Sequence, residues 1–320
     1  MQRGIQYIIF IFLAIIDLKG QQQSVLSQYY TTSYIMNPAA TGSTGGTNIS
    51  LASRNQWLGI DGAPRYNLVC AETRFKKLKG SVGDDALFKS KLGRVGLGFS
   101  AFNDRNGHFD RTGMQFMYAY HIQLRDYTQL SFGLSGFFYQ MRMNDKDMTF
   151  REPNDPVFMN GITKVVYVPD ANVGVLLSGM NYYVGASVSQ MFQANVRFGN
   201  EATGTYQMKR CYYVSGGYFI ELPSGSMMIE PNVLYKSYDQ FKQAEFGFNF
   251  HRKKAYWIGA SLRTGSAAIF RAGLLWDYFS FCYSFDLGFS SIQKYTHGTH
   301  EIVISYRYAN VLRQKYLNPY

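Results

Sequence analysis

The chain has little charge, few cysteines and no apolar run long enough for a membrane-spanning helix. Of its 320 residues, 17% are charged, against about 25% in an ordinary soluble domain. Its three cysteines are odd in number and far apart, which argues against a disulfide framework. The apolar run Tyr7–Ile16 is shorter than the roughly 20 residues that a membrane helix needs. A disulfide-stapled domain and a helical membrane protein are therefore both disfavoured.

The N-terminal segment has the layout of a secretory signal peptide. Arg3 precedes the apolar run, and the polar sequence DLKGQQQS follows it. We predict that residues 1–20 are a signal peptide and that the exported chain begins at Gln21, which is not the cysteine of a lipoprotein anchor. A buried N-terminal helix is the alternative. The formal charge of +11 favours nucleic acid, anionic lipid or an acidic partner, and export removes nucleic acid from that set.

Aromatic residues are abundant, and they recur with the period of a β-strand. The chain has 26 tyrosines and 25 phenylalanines, and 46% of it is hydrophobic. From Met114 to Leu124 every second residue is apolar or aromatic, and the residues between them are mostly polar or small. The same alternation occurs in GRVGLGFSAF, AEFGFNFH and FSFCYSFDLG. This pattern indicates strands with one apolar and one polar face.

These segments predict about fourteen strands, each long enough to cross a bilayer at a tilt. The expected fold is all-β, a transmembrane antiparallel β-barrel over residues 47–308. An N-terminal periplasmic strap or plug over residues 21–46 precedes it, and a tail over residues 309–320 follows it. The predicted strands are 47–56, 64–75, 93–104, 112–125, 127–142, 170–178, 181–190, 208–222, 225–236, 242–252, 255–263, 267–276, 278–288 and 297–308.

The connections between these strands give an independent indication of an outer-membrane barrel, whose periplasmic turns are short and whose outer loops are longer. Every second connection is tight, at LRDY, SGMN, LPSG, HRKK and WDY. The connections between them are expected to be longer, above all residues 143–169. Residues 76–91 break the rule, because this long and basic connection falls on the predicted periplasmic side.

Trp57 stands between the first predicted strand and the turn-forming sequence GIDGAP. At the outer end of a transmembrane strand, its indole ring would join the aromatic girdle of the membrane interface. Tyr66, Trp257 and Trp276 fit the same girdle. A tryptophan buried in a protein core is the alternative.

The sequence around Trp57 also carries a resemblance. SQYYTTSYIMNPAATG and SRNQWLGIDGAPRYN resemble the N-terminal signature of the PorP/SprF family of type IX secretion system outer-membrane proteins. GRVGLGFSAFNDRNG and THEIVISYRY are similar to the family's third and last strands, so the resemblance spans the exported chain. The signature positions taken as partner-binding or structural candidates are Gln28, Tyr29, Asn37, Pro38, Ala39, Arg54, Asn55, Gln56, Trp57, Asp61, Gly62 and Pro64.

This resemblance implies a barrel that works with the type IX secretion and gliding machinery. Family members are implied to bind and anchor a secreted surface protein, often an adhesin, through its type IX C-terminal domain, or to couple to the periplasmic ring of the machine. The expected partners are such a secreted protein, ring components and outer-membrane lipid. The tail ANVLRQKYLNPY departs from the family pattern, because barrel-assembly signals usually end at the last strand.

Patterns for catalysis, cofactors or metals are weak. The five histidines are scattered, and the spacing of His297 and His300 places them on opposite faces of a strand. GRVGLG lacks the residues that complete a phosphate loop. The acidic residues of NDKDMTFREPNDP lack the spacing of an EF-hand, which favours a solvated loop. We therefore expect no enzyme, no cofactor and no metal site.

Three functions remain open from the sequence. The leading one is an anchoring protein of the secretion machinery that binds through the strap or through outer loops at residues 143–169 and 191–207. The second is a general diffusion porin or small-solute transporter, which requires an open lumen. The third is a soluble secreted all-β protein, which the connection lengths and the signature both oppose.

Overall fold

The computed structural model describes residues 25–76, 92–125, 128–143, 165–197, 205–223, 225–252 and 255–308. Fourteen strands form a closed antiparallel barrel, as the sequence predicted. The described residues form seventeen strands in all: β1 (Thr47–Asn55), β2 (Arg65–Lys76), β3 (Leu92–Asn106), β4 (Phe109–Arg125), β5 (Thr128–Met143), β6 (Val165–Ser178), β7 (Tyr182–Ser189), β8 (Asn195–Arg197), β9 (Thr205–Gln207), β10 (Cys211–Tyr218), β11 (Ile220–Glu221), β12 (Met227–Tyr238), β13 (Phe241–Arg252), β14 (Tyr256–Arg263), β15 (Ala267–Trp276), β16 (Phe279–Gly288) and β17 (Thr299–Tyr308). The short strands β8, β9 and β11 are not among the fourteen of the barrel.

Each barrel strand pairs with its neighbours along the chain, and β1 pairs with β17 to close the ring. β7 pairs with β10, and β10 pairs with β12. The segment between β7 and β10 leaves the wall and holds the small β8–β9 hairpin. The two-residue β11 pairs with β12 just beyond the end of β10. Closure of the ring removes the free sheet edges that an open sheet would expose.

The two faces of the wall differ in chemistry because side chains alternate along each strand. On β4, Phe116 points outward and is 60% exposed, whereas Gln115 and His121 are buried on the inner face. The other strands repeat this arrangement, so the outer surface is apolar and the lumen is polar. An outer surface of this kind is stable against hydrocarbon rather than water. All three cysteines are buried and free, as the sequence indicated.

The two ends of the barrel differ in their connections. One end carries residues 56–64, 144–164, 190–210 and 289–298, and we define it as the outer rim because long loops face outward in such barrels. At the opposite end, the periplasmic rim, the turns that the sequence marked as tight are tight. The expectation of longer links at the outer rim was only partly right, since tight hairpins also join β3 to β4, β12 to β13 and β14 to β15.

The predicted strand boundaries agree with the structure to within a few residues, except at β6. The sequence prediction began this strand at residue 170, and the structure begins it at Val165. Pro169 misled the prediction, because a proline cannot donate to a sheet ladder and usually marks a strand end. In the structure Pro169 pairs in register with Phe138 of β5. Residues 165–169 of the predicted outer loop are therefore part of β6, and residues 144–164 lie outside the described residues.

Residues 25–46 lie inside the barrel, and we call this segment the plug. It contains a short helix, α1 (Ser33–Met36), and a single 3-10 turn, Pro38–Ala40. The plug begins beside the outer rim and ends at the periplasmic rim, where β1 starts. Among the described residues, no helix is long and apolar enough to cross a membrane. The predicted signal peptide and C-terminal tail lie outside the described residues and stay predictions.

Two aromatic residues of the predicted girdle lie on the inner face of the wall instead. Tyr66 lies on the same face of β2 as the buried Leu68 and packs against the core and Phe102. Trp257 was expected in the interface girdle, but its side chain is 1% exposed and points into the lumen. Its ring meets that of Tyr30 edge-on, with the centroids 5.5 Å apart. The alternation of side chains along β14 agrees with this position, because the neighbouring residues Tyr256 and Ile258 point outward. Trp276, by contrast, is 73% exposed at the end of β15.

Candidate functional site

The beginning of the plug is held by a carboxylate of the last strand. The backbone N–H groups of Ser27 and Gln28 donate to the two oxygens of Glu301, at 2.7 and 2.8 Å. The Ser27 hydroxyl donates to Asp286 at 2.7 Å. Ser27, Gln28 and Glu301 are all fully buried. A carboxylate that accepts two backbone N–H groups fixes the path of the chain as well as its position.

Arg54 ties these two carboxylates to the first strand. Its guanidinium donates to Glu301 at 3.0 Å and to Asp286 at 2.7 Å, and it also donates to the Ser27 hydroxyl at 2.7 Å. Arg263 of β14 reaches the same hydroxyl and the same Asp286 oxygen at 3.2 and 3.3 Å. β1, β14, β16 and β17 therefore all contribute a charged side chain to the site that holds Ser27.

The network continues along the wall through Glu245 of β13. This carboxylate accepts from Arg263 at 2.9 Å and also forms an ion pair with Arg271 of β15. The Arg271 guanidinium lies over the ring of Tyr30 in the plug, 5.3 Å from the ring centre, which is within the range of a cation–π contact. Burial raises the pKa of Tyr30 well above its usual range, so its phenol stays neutral. The plug is thus held by aromatic packing as well as by charge.

The middle of the plug turns at the Asn37-Pro38-Ala39 sequence. The side-chain oxygen of Asn37 accepts the Ala39 N–H at 3.0 Å and so caps the 3-10 turn. The other end of the same amide donates to the Val175 carbonyl of β6 at 3.0 Å. This geometry requires glycine at position 174 of β6, because a Cβ atom there would overlap the Asn37 side chain.

The neighbouring strand β5 approaches the same turn just as closely, since Gly133 of β5 pairs in register with Gly174 of β6. On β5, a Cβ atom on Gly133 would overlap the backbone nitrogen of Ala39. Glycine is therefore required at this position by the plug, because any larger residue would push the turn away. Ala39 is 0% exposed against this pair of neighbouring strands.

The end of the plug is fixed near the periplasmic rim. A ring nitrogen of His121 on β4 lies 2.9 Å from the Thr41 carbonyl oxygen. The Gly42 N–H donates to Glu72 of β2 at 2.6 Å. Backbone groups of the plug thus bond to strands on several sides of the barrel, from Glu301 near the outer rim to Glu72 near the periplasmic rim. The arrangement crosses the lumen rather than lining one side of it.

A cavity remains between the plug and the wall formed by β6, β7, β10 and β12. Its volume is about 90 Å³, and its lining mixes aromatic rings with small polar groups. Tyr30 and Asn37 line it from the plug, and Tyr183, Ser187 and Tyr213 line it from the wall. The space is roughly that of a few water molecules.

The structure divides the signature residues between two places. The plug contains Gln28, Tyr29, Asn37, Pro38 and Ala39, and Arg54 on β1 points into the lumen to hold it. Asn55 is the last residue of β1, and the remaining candidates lie in the connection between β1 and β2 at the outer rim, namely Gln56, Trp57, Asp61, Gly62 and Pro64. Their role in binding a partner stays a prediction.

The β1–β2 connection is an ordered surface. The Gln56 N–H donates to the Pro64 carbonyl at 2.9 Å, which closes the turn. The Leu58 N–H donates to the Gly298 carbonyl, and the His297 N–H donates back to the Leu58 carbonyl, at 2.9 and 2.8 Å. Trp57 is 37% exposed beside this pairing. Two connections of the outer rim therefore form one backbone-bonded surface.

The charged partners of the plug were not found from the sequence. In the network that holds Ser27 and Tyr30 they are Asp286, Glu301, Glu245, Arg263 and Arg271. The sequence does contain an indication of them. Each of these charged residues lies in a strand rich in aromatic or aliphatic residues, on the face that otherwise carries small and polar side chains. A charge on the inner face of a barrel strand needs a partner when it is buried. The alternation could therefore have marked these five residues as lumen contacts.

The signature and its geometry agree with a sequence comparison. The profile of "Type IX secretion system membrane protein PorP/SprF" matches residues 18–306. This chain belongs to the PorP/SprF family. The family and the closed barrel together make it an integral outer-membrane component of type IX secretion.

Comparisons with individual proteins add little to the family assignment. No curated protein matches the sequence. Solved structures similar to this PorP/SprF protein include a CymD monoaromatic hydrocarbon channel, with 10% identity, a TM-score of 0.47 and coverage of 91% of this chain and 94% of that one. Omp33 of Acinetobacter baumannii has 9% identity, a TM-score of 0.43 and coverage of 82% and 97%. Likeness at this level supports no inference about function.

Among the described residues, no group of three or more His, Cys, Asp or Glu side chains could hold a metal ion. One ring nitrogen of His300 is hydrogen-bonded to the Tyr283 hydroxyl at 2.7 Å, and the other ring nitrogen lies 3.0 Å from the His297 carbonyl oxygen. The acidic loop considered for calcium at residues 144–156 lies outside the described residues.

Proposed function

We propose that this PorP/SprF protein anchors a secreted surface protein, such as an adhesin, at the outer membrane by binding its type IX C-terminal domain, without catalysing a reaction. The observation that carries the proposal is the plug. A fourteen-stranded barrel is wide enough for a lumen, and here buried backbone and side chains cross that lumen and bond to its walls. A barrel filled in this way offers its two rims, rather than a channel, for function.

The outer rim is the surface on which we place the secreted partner. The connection at residues 56–64 is held by hydrogen bonds to residues 297–298, so part of this rim is preorganised. The β8–β9 hairpin lies at the same end, where the flanking residues Ala194 and Met208 pack against Tyr139 and Val168 of the wall. Ordered loops on a rigid scaffold are the usual place for recognition in barrels of this kind.

A pair of loop-trimmed variants tests this proposal and distinguishes it from coupling to the periplasmic ring. In one variant a short Gly-Ser linker replaces residues 144–164 at the outer rim, and in its matched control the same linker replaces residues 77–91 at the periplasmic rim. Each tagged barrel is purified from its native outer membrane in mild detergent, and the proteins that copurify are identified by mass spectrometry.

The proposal predicts that a secreted protein with a type IX C-terminal domain copurifies with the intact barrel and with the 77–91 variant, and is lost from the 144–164 variant. Loss of ring components from the 77–91 variant alone would assign the ring-coupling role instead. If no such companion copurifies with the intact barrel and the barrel conducts ions, the porin alternative is correct and the proposal is wrong.

A further inference from the structure

The outward face of β1–β5 changes chemistry in three horizontal rows as the strands approach the outer rim. The register places one residue of each strand side by side in every row. The lowest row is apolar, with Leu51, Val69, Ala101, Met114 and Phe138. The middle row has amides and hydroxyls, with Ser53, Asn67, Asn103, Thr112 and Gln140. The upper row has charges, with Asn55, Arg65, Arg105, Asp110 and Arg142.

The upper row carries more positive charge than its neighbours balance. It has three guanidinium groups and one carboxylate, and Arg65 lies directly opposite Arg105 in the β2–β3 pair. Like charges at directly opposed positions destabilise a sheet. Arg105 reaches Asp110 at only 3.5 Å and is 61% exposed, while Asn103 donates to the other oxygen of Asp110 at 2.7 Å. An anion between the two arginines would remove this repulsion.

The lowest, apolar row forms part of a groove on the outer wall. Val69 and Met114 stand on either side of Ala101, whose small side chain leaves the floor of the groove low. Phe138 and Tyr167 close one side, with their rings stacked at 5.6 Å between centroids. The groove continues the apolar outer surface that faces hydrocarbon. Its upper end is lined by the amides of Asn67 and Asn103.

We propose that this face is a binding site for a phosphorylated lipid of the outer leaflet, with an acyl chain in the groove and a phosphate between Arg65 and Arg105. The three rows repeat the order of an amphiphile: hydrocarbon, polar linkage and phosphate. Rows that are two residues apart are separated by about 7 Å along a strand, which matches the size of a polar linkage region. Guanidinium groups bind phosphate through paired hydrogen bonds.

A test uses the full barrel in detergent and native mass spectrometry. The probes are bisphosphorylated lipid A, the same lipid after removal of both phosphates, and inorganic phosphate. The variants are Arg65→Gln with Arg105→Gln, which removes the charges, and Ala101→Phe, which fills the groove. The matched controls are Arg252→Gln, an outward arginine at the periplasmic rim, and Ala272→Phe, an outward alanine on β15.

The intact barrel is expected to retain the bisphosphorylated lipid, and the double arginine variant should retain it at least about tenfold less, because it loses the charge-assisted hydrogen bonds of both guanidinium groups to the phosphate. Removal of the phosphates should cause a similar loss for the intact barrel, and Ala101→Phe should weaken binding of both lipid forms. Both controls should bind like the intact barrel.

Two results would contradict the proposed lipid-binding site. Equal retention by the intact barrel and the double arginine variant would mean that the arginines do not hold the phosphate. Displacement of the lipid by inorganic phosphate at an equal concentration would mean that the site binds a free anion and not a lipid. Heat-modifiable mobility on gels, which reports a folded barrel, shows for each variant whether the loss of binding is specific.

Discussion

At the scale of single residues, Arg54 connects the plug to the wall of the barrel. It lies between Glu301 and Asp286, and the side chains of all three are at most 4% exposed. Removing one partner of a buried ion pair leaves a charge without compensation, which costs about 3–5 kcal/mol in comparable proteins. The presence of Arg54 in the signature is therefore explained by its contacts within the barrel, without reference to a partner protein.

We expect Arg54→Ala to lower the free energy of unfolding by about 3 kcal/mol or more, because Glu301 and Asp286 keep their charge inside the lumen. Guanidinium unfolding in detergent micelles, followed by tryptophan fluorescence, measures the change. Arg252→Ala is the matched control, since Arg252 is exposed at the periplasmic rim. A shift for Arg54→Ala as small as that of the control would contradict the assigned role of the network.

At the same scale, Trp57 is a residue that the sequence predicts to lie at the membrane interface. It adopts a positive φ of 49°, and its ring is part-exposed beside the backbone pairing of residues 58 and 297–298. An indole ring at this level is stabilised by the membrane interface. We expect Trp57→Ala to reduce the folded fraction modestly during refolding into liposomes, as read by gel mobility, and Trp57→Phe to lose less. Equal folding of all three proteins would remove Trp57 from the girdle.

At the scale of elements, the barrel strands could be predicted from alternation alone, because one face of every strand meets hydrocarbon and the other meets the lumen. The sequence does not predict which residues of the inner face contact each other or the plug. Ser27 and Glu301 are far apart along the chain, and no local pattern joins them. Trp257 was predicted on the wrong face of β14. Tryptophan is a common residue of the interface girdle, but the alternation of side chains along the strand places residue 257 in the lumen. The proline in β6 hid the beginning of that strand.

The wall strands and the plug are complementary at Gly133. We expect Gly133→Val to displace the Pro38–Ala40 turn, because the new side chain would occupy the position of the Ala39 backbone. Hydrogen exchange of the plug peptide should then become faster. Gly136→Val is the control on the same strand, where a Cβ atom meets nothing within 4 Å. Equal exchange in both variants would mean that the turn does not depend on this contact.

At the scale of the whole molecule, the barrel combines a filled lumen with an ordered outer rim. The plug is bonded to β1, β2, β4, β6, β16 and β17, directly or through Arg54. A single segment held by many strands can also stabilise the barrel, since its removal would leave buried charges unpaired. This construction suits a scaffold that presents a surface, and it does not suit a pore for diffusion.

The measurement that tests this account most directly is ion conductance in planar bilayers. The intact barrel is compared with a variant that lacks residues 25–41, after gel mobility has confirmed that both are folded. The account predicts little conductance for the intact protein and large, stable conductance steps for the variant, because among the described residues it is the plug that fills the lumen. Steps of equal size from both proteins would show that the plug does not close the barrel, and would contradict the account.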